Sequence, residues 1–164
     1  MILTIKNNFM SAAGSSTVYT DTGVEFYKVK GSFLSPRKTK KLLDFRGRKC
    51  YIIKNKLFTL FNKVTVIYDS RGKYFGKIKR LNISAANRYK VEGFGCNLNI
   101  NGGFFDLKNP IIRNGVQVGV IERKVVSLTD TFILDVDDIE NLSLYVAIVI
   151  AIDNIRDSRK LIKR

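Results

Sequence analysis

The feature that most constrains this chain is an uninterrupted apolar segment near its C-terminus. Residues 142–152 are Leu-Ser-Leu-Tyr-Val-Ala-Ile-Val-Ile-Ala-Ile, and only Ser143 interrupts the apolar series. Burying the Leu, Val and Ile side chains of this segment is worth roughly 10–20 kcal/mol, which is comparable with the net stability of a whole domain. Any fold of this chain must therefore enclose the segment.

Three structures for this segment compete. A membrane-spanning helix is too short, because even to Ile155 it would reach about 21 Å against a hydrocarbon core of about 30 Å. A buried strand stays open, since Val and Ile favour strands and a continuous apolar run has no diagnostic period. Acidic residues before the segment and basic residues after it suit a helix dipole. We therefore expect a helix over about 139–157.

The rest of the chain predicts β-structure. Beta-branched and aromatic residues cluster in short runs that are separated by Asp, Asn and Gly, as in antiparallel hairpins. Several runs alternate apolar and basic residues, which predicts one apolar face and one basic face. Twelve strands are predicted, at 3–6, 17–20, 25–30, 41–45, 49–54, 64–69, 74–79, 88–91, 98–101, 110–113, 117–123 and 131–136.

The predicted turns repeat along the chain. Asp21-Thr-Gly23, Asp44-Phe-Arg-Gly47, Asp69-Ser-Arg-Gly72 and Asn114-Gly115 each separate two predicted strands. The three Asp residues are 23 and 25 positions apart, and the Asn-Gly pair follows 45 positions later. Asp, Asn and Gly tolerate the positive φ angles of tight hairpins, so the spacing predicts a repeated hairpin unit.

These two predictions fit together in one architecture. A closed sheet of about twelve strands has a lumen wider than its own side chains fill, and a helix about 10 Å across can occupy it. An open sandwich covered by this helix would require a polar stripe that the segment lacks. We expect a mainly β fold, an antiparallel closed barrel of about twelve strands around a central C-terminal helix, forming one domain over 1–164.

The positive charge is concentrated in one part of the sequence. Residues 28–90 contain 19 Lys and Arg and two acidic residues, whereas the segments on either side each have a net charge of −1. Such a surface attracts the phosphates of lipids or nucleic acids, although a solubilising basic face is the plain alternative. The densest run supplies Arg37, Lys38, Lys40 and Lys41, and stacked repeats would add Arg46, Arg48, Lys49, Lys77, Lys79 and Arg80.

The amino-acid composition gives little indication of a catalytic site. The chain has no His, which removes histidine-based triads and most zinc sites, and we find no nucleophile paired with a base. We expect no enzymatic activity, no metal and no cofactor. Cys50 and Cys96 are expected to be small apolar residues rather than a disulfide. Without a signal peptide or lipidation motif, we expect a cytoplasmic protein that contacts the inner membrane surface peripherally.

Four sequence pieces, in order, resemble the LURP-one-related family. They are Lys56-Leu-Phe-Thr-Leu60 with Val64-Thr-Val-Ile-Tyr68, Tyr74-Phe-Gly-Lys-Ile-Lys79, Gln117-Val-Gly-Val-Ile-Glu-Arg-Lys124, and Asp138 followed by the apolar segment to Asp153. The family is similar in fold to the tubby C-terminal domain and to phospholipid scramblases, which implies a twelve-stranded barrel around a hydrophobic helix. The absence of Trp and the basic first half depart from the usual pattern.

The resemblance also carries a functional expectation. Tubby domains bind phosphoinositides, so the resemblance implies an anion-binding role, but no lipid-contacting residue can be transferred to a position of this chain. We expect a non-catalytic module that recognises phospholipid or phosphoinositide head groups, or another phosphate-bearing ligand, at a membrane surface. The alternatives are nucleic-acid binding and an interaction domain without a specific ligand.

Overall fold

The fold is available as a computed structural model. It describes residues 1–8, 14–32, 34–57, 64–83, 86–100, 107–126 and 129–157, with the backbone alone described at 81–83, 86–88, 125–126, 129–130 and 156–157. The parts of the sequence-based predictions that fall at 58–60 and at 101 lie outside the described residues.

The described chain contains all twelve predicted strands, joined into one closed antiparallel barrel. Each strand pairs with its neighbours in sequence, and the last pairs with the first, so the barrel is an up-and-down meander without open edges. The strands are β1 (Ile2–Asn7), β2 (Ser16–Thr20), β3 (Glu25–Gly31), β4 (Lys40–Asp44), β5 (Lys49–Asn55), β6 (Val64–Asp69), β7 (Tyr74–Ile83), β8 (Ala86–Gly93), β9 (Leu98–Ile100), β10 (Lys108–Arg113), β11 (Val116–Val126) and β12 (Thr129–Val136).

The apolar segment forms a helix enclosed by this sheet. A short 3-10 turn at Ile139–Asn141 leads into α1 (Leu142–Asp157), close to the predicted bounds. Residues 145–151 are 0% exposed without exception, and seven consecutive residues cover every side of a helix. The helix prediction is confirmed, and the alternative of a buried strand is wrong. Inward-facing side chains of the strands pack around the helix as one core.

Asp138 fixes the start of the helical segment. Its carboxylate accepts a hydrogen bond from the Asn141 backbone N–H at 3.3 Å and one from the Tyr145 hydroxyl at 2.8 Å, and it pairs with Arg113 of β10. Although burial opposes the charge, the hydrogen bonds from Asn141, Tyr145 and Arg113 hold the pKa of Asp138 below its usual range. Among the acidic residues ahead of the helix, Asp138 thus caps the 3-10 turn that leads into it.

The two ends of the barrel differ. We call one the tight-turn end, because it carries the short β2–β3, β4–β5, β6–β7, β8–β9 and β10–β11 connections and the start of the helical segment. The other, the loop end, carries the remaining connections, which include the longer ones at 32–39 and 56–63 and the two-residue ones at 84–85 and 127–128. In an up-and-down meander, successive connections alternate between the ends, so α1 begins at the tight-turn end and finishes at the loop end.

The interior at the loop end contains a buried ion pair. Lys40 Nζ of β4 lies 3.1 Å from Asp153 Oδ2 of α1, and the side chains are only 4% and 1% exposed. Asn7 Nδ2 lies 3.4 Å from the same carboxylate and Ser16 donates to Asn7 at 2.7 Å. The placement of Lys40 in an exposed anion-binding run is therefore wrong, because its side chain points inward and neutralises a helix carboxylate.

Further hydrogen bonds tie the same end of the helix to the strands. Asn55 Nδ2 of β5 donates to the Asn154 carbonyl at 3.4 Å, and Thr65 of β6 donates to Asn55 at 2.7 Å. Asn154, which is fully buried, donates from Nδ2 to the Lys38 carbonyl at 3.0 Å. Paired polar groups therefore hold this end of the helix in the barrel, where unpaired ones would be costly.

Candidate anion-binding surface

Two neighbouring hairpins at the tight-turn end have the same turn structure. In the β4–β5 hairpin, Asp44 Oδ1 accepts hydrogen bonds from the backbone N–H groups of Arg46 at 3.0 Å and Arg48 at 2.8 Å. The Gly47 N–H donates to the Asp44 carbonyl at 2.9 Å, with Gly47 at φ 77°. The Asp carboxylate and the positive φ of the Gly therefore define this turn.

The β6–β7 hairpin repeats this pattern. Asp69 Oδ1 accepts from the N–H groups of Arg71 at 2.9 Å and Lys73 at 2.8 Å. The Gly72 N–H donates to the Asp69 carbonyl at 3.1 Å, and Gly72 has φ 88°. The Asp-x-Arg-Gly repeat seen in the sequence is thus a structural repeat, because the same side chains satisfy the same backbone groups.

The shared turn places cations at matching positions. The second residue after the Asp is Arg46 in one hairpin and Arg71 in the other, and the fourth is Arg48 or Lys73. The two hairpins lie side by side, two strands apart, which corresponds to about 10 Å. We call residues 44–49 and 69–74 the basic tips. They bring together cations that are 25 positions apart in sequence.

The charges of the basic tips are only partly neutralised. Arg48 Nε pairs with Asp44 Oδ2 at 2.7 Å. Burial opposes ionisation of Asp44, but the bonds from Arg48 and Arg46 hold its pKa below the usual range. Within the described parts of the chain, no carboxylate lies within 4.0 Å of the other four tip cations, which are Arg46, Lys49, Arg71 and Lys73. All four are exposed.

Aromatic side chains accompany these cations. Phe45 occupies the first turn position after Asp44 and is 64% exposed. The Arg46 guanidinium lies 5.3 Å from the centre of the Phe45 ring. The Phe26 ring stacks against the Phe45 ring, with 6.3 Å between the two ring centres. Tyr74, at the base of the second tip, is also largely exposed. Phe45, which we expected to end the fourth strand, lies in the turn instead.

The β2–β3 hairpin has a related turn without cations. Thr20 rather than Asp21 takes the first position, because the Gly23 N–H donates to the Thr20 carbonyl at 3.0 Å and the Val24 N–H donates to Thr20 Oγ1 at 3.1 Å. The predicted equivalence of Asp21 with Asp44 and Asp69 is therefore off by one residue. The second and fourth residues after Thr20 are Thr22 and Val24, which are uncharged. Of these three hairpins, only β4–β5 and β6–β7 therefore carry cations at these positions.

The rim of the tight-turn end is divided by charge. Exposed Asp135, Asp137 and Glu140 lie where β12 passes into the helical segment, whereas the basic tips lie on β4–β7. In the closed strand order these groups are on different sides of the barrel. The end therefore has a basic side and an acidic side.

The run at 36–41 is dispersed by the structure. Lys40 is buried, while Lys38 is half-buried and adopts φ 45°. Arg37 is exposed in the β3–β4 connection, and Lys41 is exposed on the outer face of β4, opposite Lys30 of β3. Arg37 belongs to the loop end, away from Arg46, Arg48 and Lys49. The predicted stacking of all these cations into one patch is therefore wrong.

The cations of β7 are separated as well. Lys77 faces outward and pairs with Glu92 at 2.6 Å. The hydrogen bond from Lys77, followed by that from Lys90, lowers the pKa of Glu92 to about 2. Lys79 lies on the same outer face opposite Lys90, whereas Arg80 occupies the inward-facing register two residues after buried Ile78. These residues form no common site with the basic tips.

Sequence analysis missed two of the tip cations. The predicted turn Asp69-Ser-Arg-Gly72 contains Arg71 but not Lys73, although Arg71 occupies the same place in the Asp-x-Arg-Gly pattern as Arg46. Aligning the two turns residue by residue would have paired Arg46 with Arg71 and Arg48 with Lys73. Their proximity in space still depended on which hairpins the sheet placed side by side.

Metal-ligating side chains and thiols are the other candidates for chemistry in this protein. Across the described ranges, no group of three or more metal-ligating side chains occurs. Cys50 and Cys96 are half-buried free thiols, and burial raises the pKa of Cys50. The helix in the described chain is not long and apolar enough to cross a bilayer.

The fold and this surface define a class of protein: a closed twelve-stranded antiparallel barrel around an apolar C-terminal helix, with a basic sector on its rim. A family model described as LURP-one-related matches residues 1–153, and the chain belongs to the LURP-one-related family. The resemblance found in the sequence is thereby confirmed.

Comparison with solved structures supports the fold. The chain is similar to an X-ray structure of a protein from Arabidopsis thaliana, with a TM-score of 0.58 and 13% sequence identity. The match covers 93% of this chain and 91% of the plant protein. At this identity the likeness concerns the fold alone. A search of curated proteins gives no match.

Proposed function

We propose that this protein is a non-catalytic module that binds anionic phospholipid head groups through its basic tips. The observation that carries the proposal is the pair of identical turns, which hold exposed Arg46 and Arg71 at equivalent positions on adjacent hairpins. The turns hold the backbone of both cations in one conformation, so little loop entropy is lost when the cations contact a phosphate.

The charge of the tips sets the expected strength. Each cation near an acidic leaflet contributes about 1 kcal/mol, so four unpaired cations contribute about 4 kcal/mol. An affinity of that size is in the millimolar range and weakens with salt. The cations alone therefore support reversible, peripheral attachment to an acidic surface.

Nucleic-acid binding is the second candidate function. Phe45 beside Arg46 is the type of pair on which an unstacked base can lie, and basic grooves with aromatic platforms bind single strands. A single strand follows a continuous charged groove, however, whereas the four unpaired cations of the basic tips lie on two separate turns. This arrangement favours discrete head groups, and the experiment below includes oligonucleotides.

Vesicle sedimentation tests the proposal. Vesicles of phosphatidylcholine with phosphatidylserine or a phosphoinositide are compared with phosphatidylcholine alone, at about 0.05 M and about 0.5 M salt. We expect binding to the acidic vesicles at low salt and loss of binding at high salt. A fluorescent single strand and a duplex are titrated in parallel, and tight oligonucleotide binding without vesicle binding would favour the second function.

A pair of charge-matched variants locates the site. Arg46→Glu with Arg71→Glu alters the basic tips, and Arg37→Glu with Lys41→Glu changes the net charge equally at exposed positions elsewhere. The tip variant should bind at least tenfold more weakly, while the control stays near the wild-type affinity. Equal losses in both variants, or no binding of the wild type to acidic vesicles, would refute the proposed site.

A further inference from the structure

Most of the exposed large apolar side chains that the structure describes lie at the tight-turn end. Among the described residues, six of nine exposed large apolar side chains lie there, at hairpin turns, at strand ends or at the start of the helical segment. They are Ile2, Val24, Phe45, Tyr74, Val116 and Ile139. Large exposed apolar groups gathered at one end of a protein mark a surface for contact with a partner or a membrane.

The aromatic residues and the cations coincide on the basic side of this end. Phe45 and Tyr74 both belong to the basic tips, and the Arg46 guanidinium lies over the Phe45 ring. Aromatic rings beside cations match the boundary of an acidic bilayer, where the ring enters the head-group layer and the cation stays at phosphate level. A free phosphate or soluble head group would give Phe45 no apolar surroundings.

The turn that carries Phe45 is suited to a region poor in water. The N–H groups of Arg46, Gly47 and Arg48 are all bonded within the turn, to the side chain or carbonyl of Asp44. The Asp44 N–H donates in turn to the Arg48 carbonyl at 2.9 Å. Three of the four N–H groups of turn residues 45–48 are therefore satisfied, all but that of Phe45, which reduces the cost of entering a medium that offers no hydrogen bonds.

We propose that the protein docks on an acidic bilayer with the basic side of its tight-turn end facing the lipid, and that Phe45 and Tyr74 insert into the head-group and acyl-chain boundary. This inference rests on the proposed function and adds the orientation and an apolar contribution to it. The acidic side of the same end, with Asp137 and Glu140 beside Ile139, stays in water because an anionic leaflet repels it.

The opposite end supplies the competing orientation. Leu34, in the β3–β4 connection, is 86% exposed, and Leu57 and Leu107 are also exposed at the loop end. Leu34 is an aliphatic side chain, whereas interfacial contacts favour the aromatic rings found on the basic tips. A direct comparison of the two ends therefore tests the proposal.

Single-tryptophan variants provide this comparison. The natural chain contains no Trp, so Phe45→Trp, Ile139→Trp and Leu34→Trp each introduce one fluorophore at an exposed position. Phe45 and Ile139 are almost equally exposed, at 64% and 63%, and differ chiefly in the sign of the charge around them. Emission is recorded with acidic vesicles, with and without brominated acyl chains that quench a nearby Trp.

We expect only the Phe45→Trp variant to shift its emission to shorter wavelength and to be quenched by brominated chains. Phe45→Ala should also weaken partitioning to acidic vesicles about tenfold, with its circular dichroism unchanged. A shift at Leu34→Trp instead, or equal shifts in all three variants, would overturn the orientation.

Different results would overturn head-group binding and the insertion of Phe45. Wild-type sedimentation with acidic vesicles, combined with no shift or quenching at position 45, would overturn insertion and leave head-group binding intact. Absence of sedimentation at low salt would overturn the proposed function itself, and the inference with it.

Discussion

Lys40 of β4 and Asp153 of α1 form an ion pair inside the barrel, with Nζ 3.1 Å from Oδ2 and both side chains almost fully buried. The two residues are 113 positions apart, so the pair joins the end of the central helix to the sheet that surrounds it. A buried pair of this kind need not be more stable than an apolar substitute, but either charge alone is costly.

Lys40→Met should lower the free energy of unfolding by about 3–5 kcal/mol, because Asp153 would remain charged and buried without its partner. The double variant Lys40→Met with Asp153→Leu should lose less than the sum of the two single losses. Chemical denaturation measures both quantities. Lys41→Met, at the exposed neighbouring position, is the control and should change stability by less than about 0.5 kcal/mol. Additive losses in the double variant would contradict a direct interaction.

Asp69→Ala should destabilise the protein by about 1–2 kcal/mol, because the carboxylate accepts two backbone hydrogen bonds that define its turn. Among the described residues, the Asp21 carboxylate accepts a hydrogen bond only from the N–H of the next residue, Thr22. Asp21→Ala is therefore the matched control and should have a much smaller effect. Thermal or chemical unfolding compares the two, and similar losses would show that the turns are equivalent after all.

The stability should fall in alkaline solution between pH 10 and about 12. Burial, then the charges of Cys50 and Asp44, raises the pKa of Tyr27 to about 12, and burial together with Asp138 does the same for Tyr145. Both pKa values exceed the ordinary tyrosine pKa of 10.0, so the unfolded chain loses these protons first as the pH rises. The native state then holds more protons, and rising pH favours unfolding.

Unfolding at a series of alkaline pH values checks this expectation. Tyr27→Phe should make the decline shallower, and so should Tyr145→Phe, although the second variant also loses the hydrogen bond to Asp138. Tyr74→Phe serves as the control, since this ring is largely exposed. If Tyr74→Phe flattens the decline as much as the buried-site variants, the assignment to Tyr27 and Tyr145 is wrong.

Gly119→Ala should destabilise the barrel by about 1–3 kcal/mol. A Cβ built at Gly119 would lie 2.5 Å from the Asp135 carbonyl oxygen of β12, and backbone atoms there cannot move aside without disturbing the strand pairing. Gln117→Ala, an exposed substitution on the same strand, should be close to neutral. Chemical denaturation of the two variants measures the difference, and an unchanged midpoint for Gly119→Ala would show that β11 and β12 can separate slightly.

Much of the fold follows from local chemistry in the sequence. The strands were predictable because alternating side chains and Asp, Asn or Gly turns act over a few residues, and all twelve were located. The inward orientation of Lys40 was harder to predict. Leu42 and Leu43 are both apolar, so alternation alone does not say whether Lys40 or Lys41 shares a face with the core. Pairing with β3 and β5 and the position of Asp153 decide it.

The sequence by itself determined that the segment at 142–152 must be enclosed, because it has no side that water can cover. It also determined the turns, since their Asp and Gly residues satisfy the backbone locally. Only the tertiary structure decided which cations meet. Arg37 is nine positions from Arg46 yet lies at the opposite end, while Arg71 is 25 positions away and lies on the neighbouring hairpin. Each strand carries the chain from one end of the barrel to the other, so proximity depends on strand pairing and not on distance along the sequence.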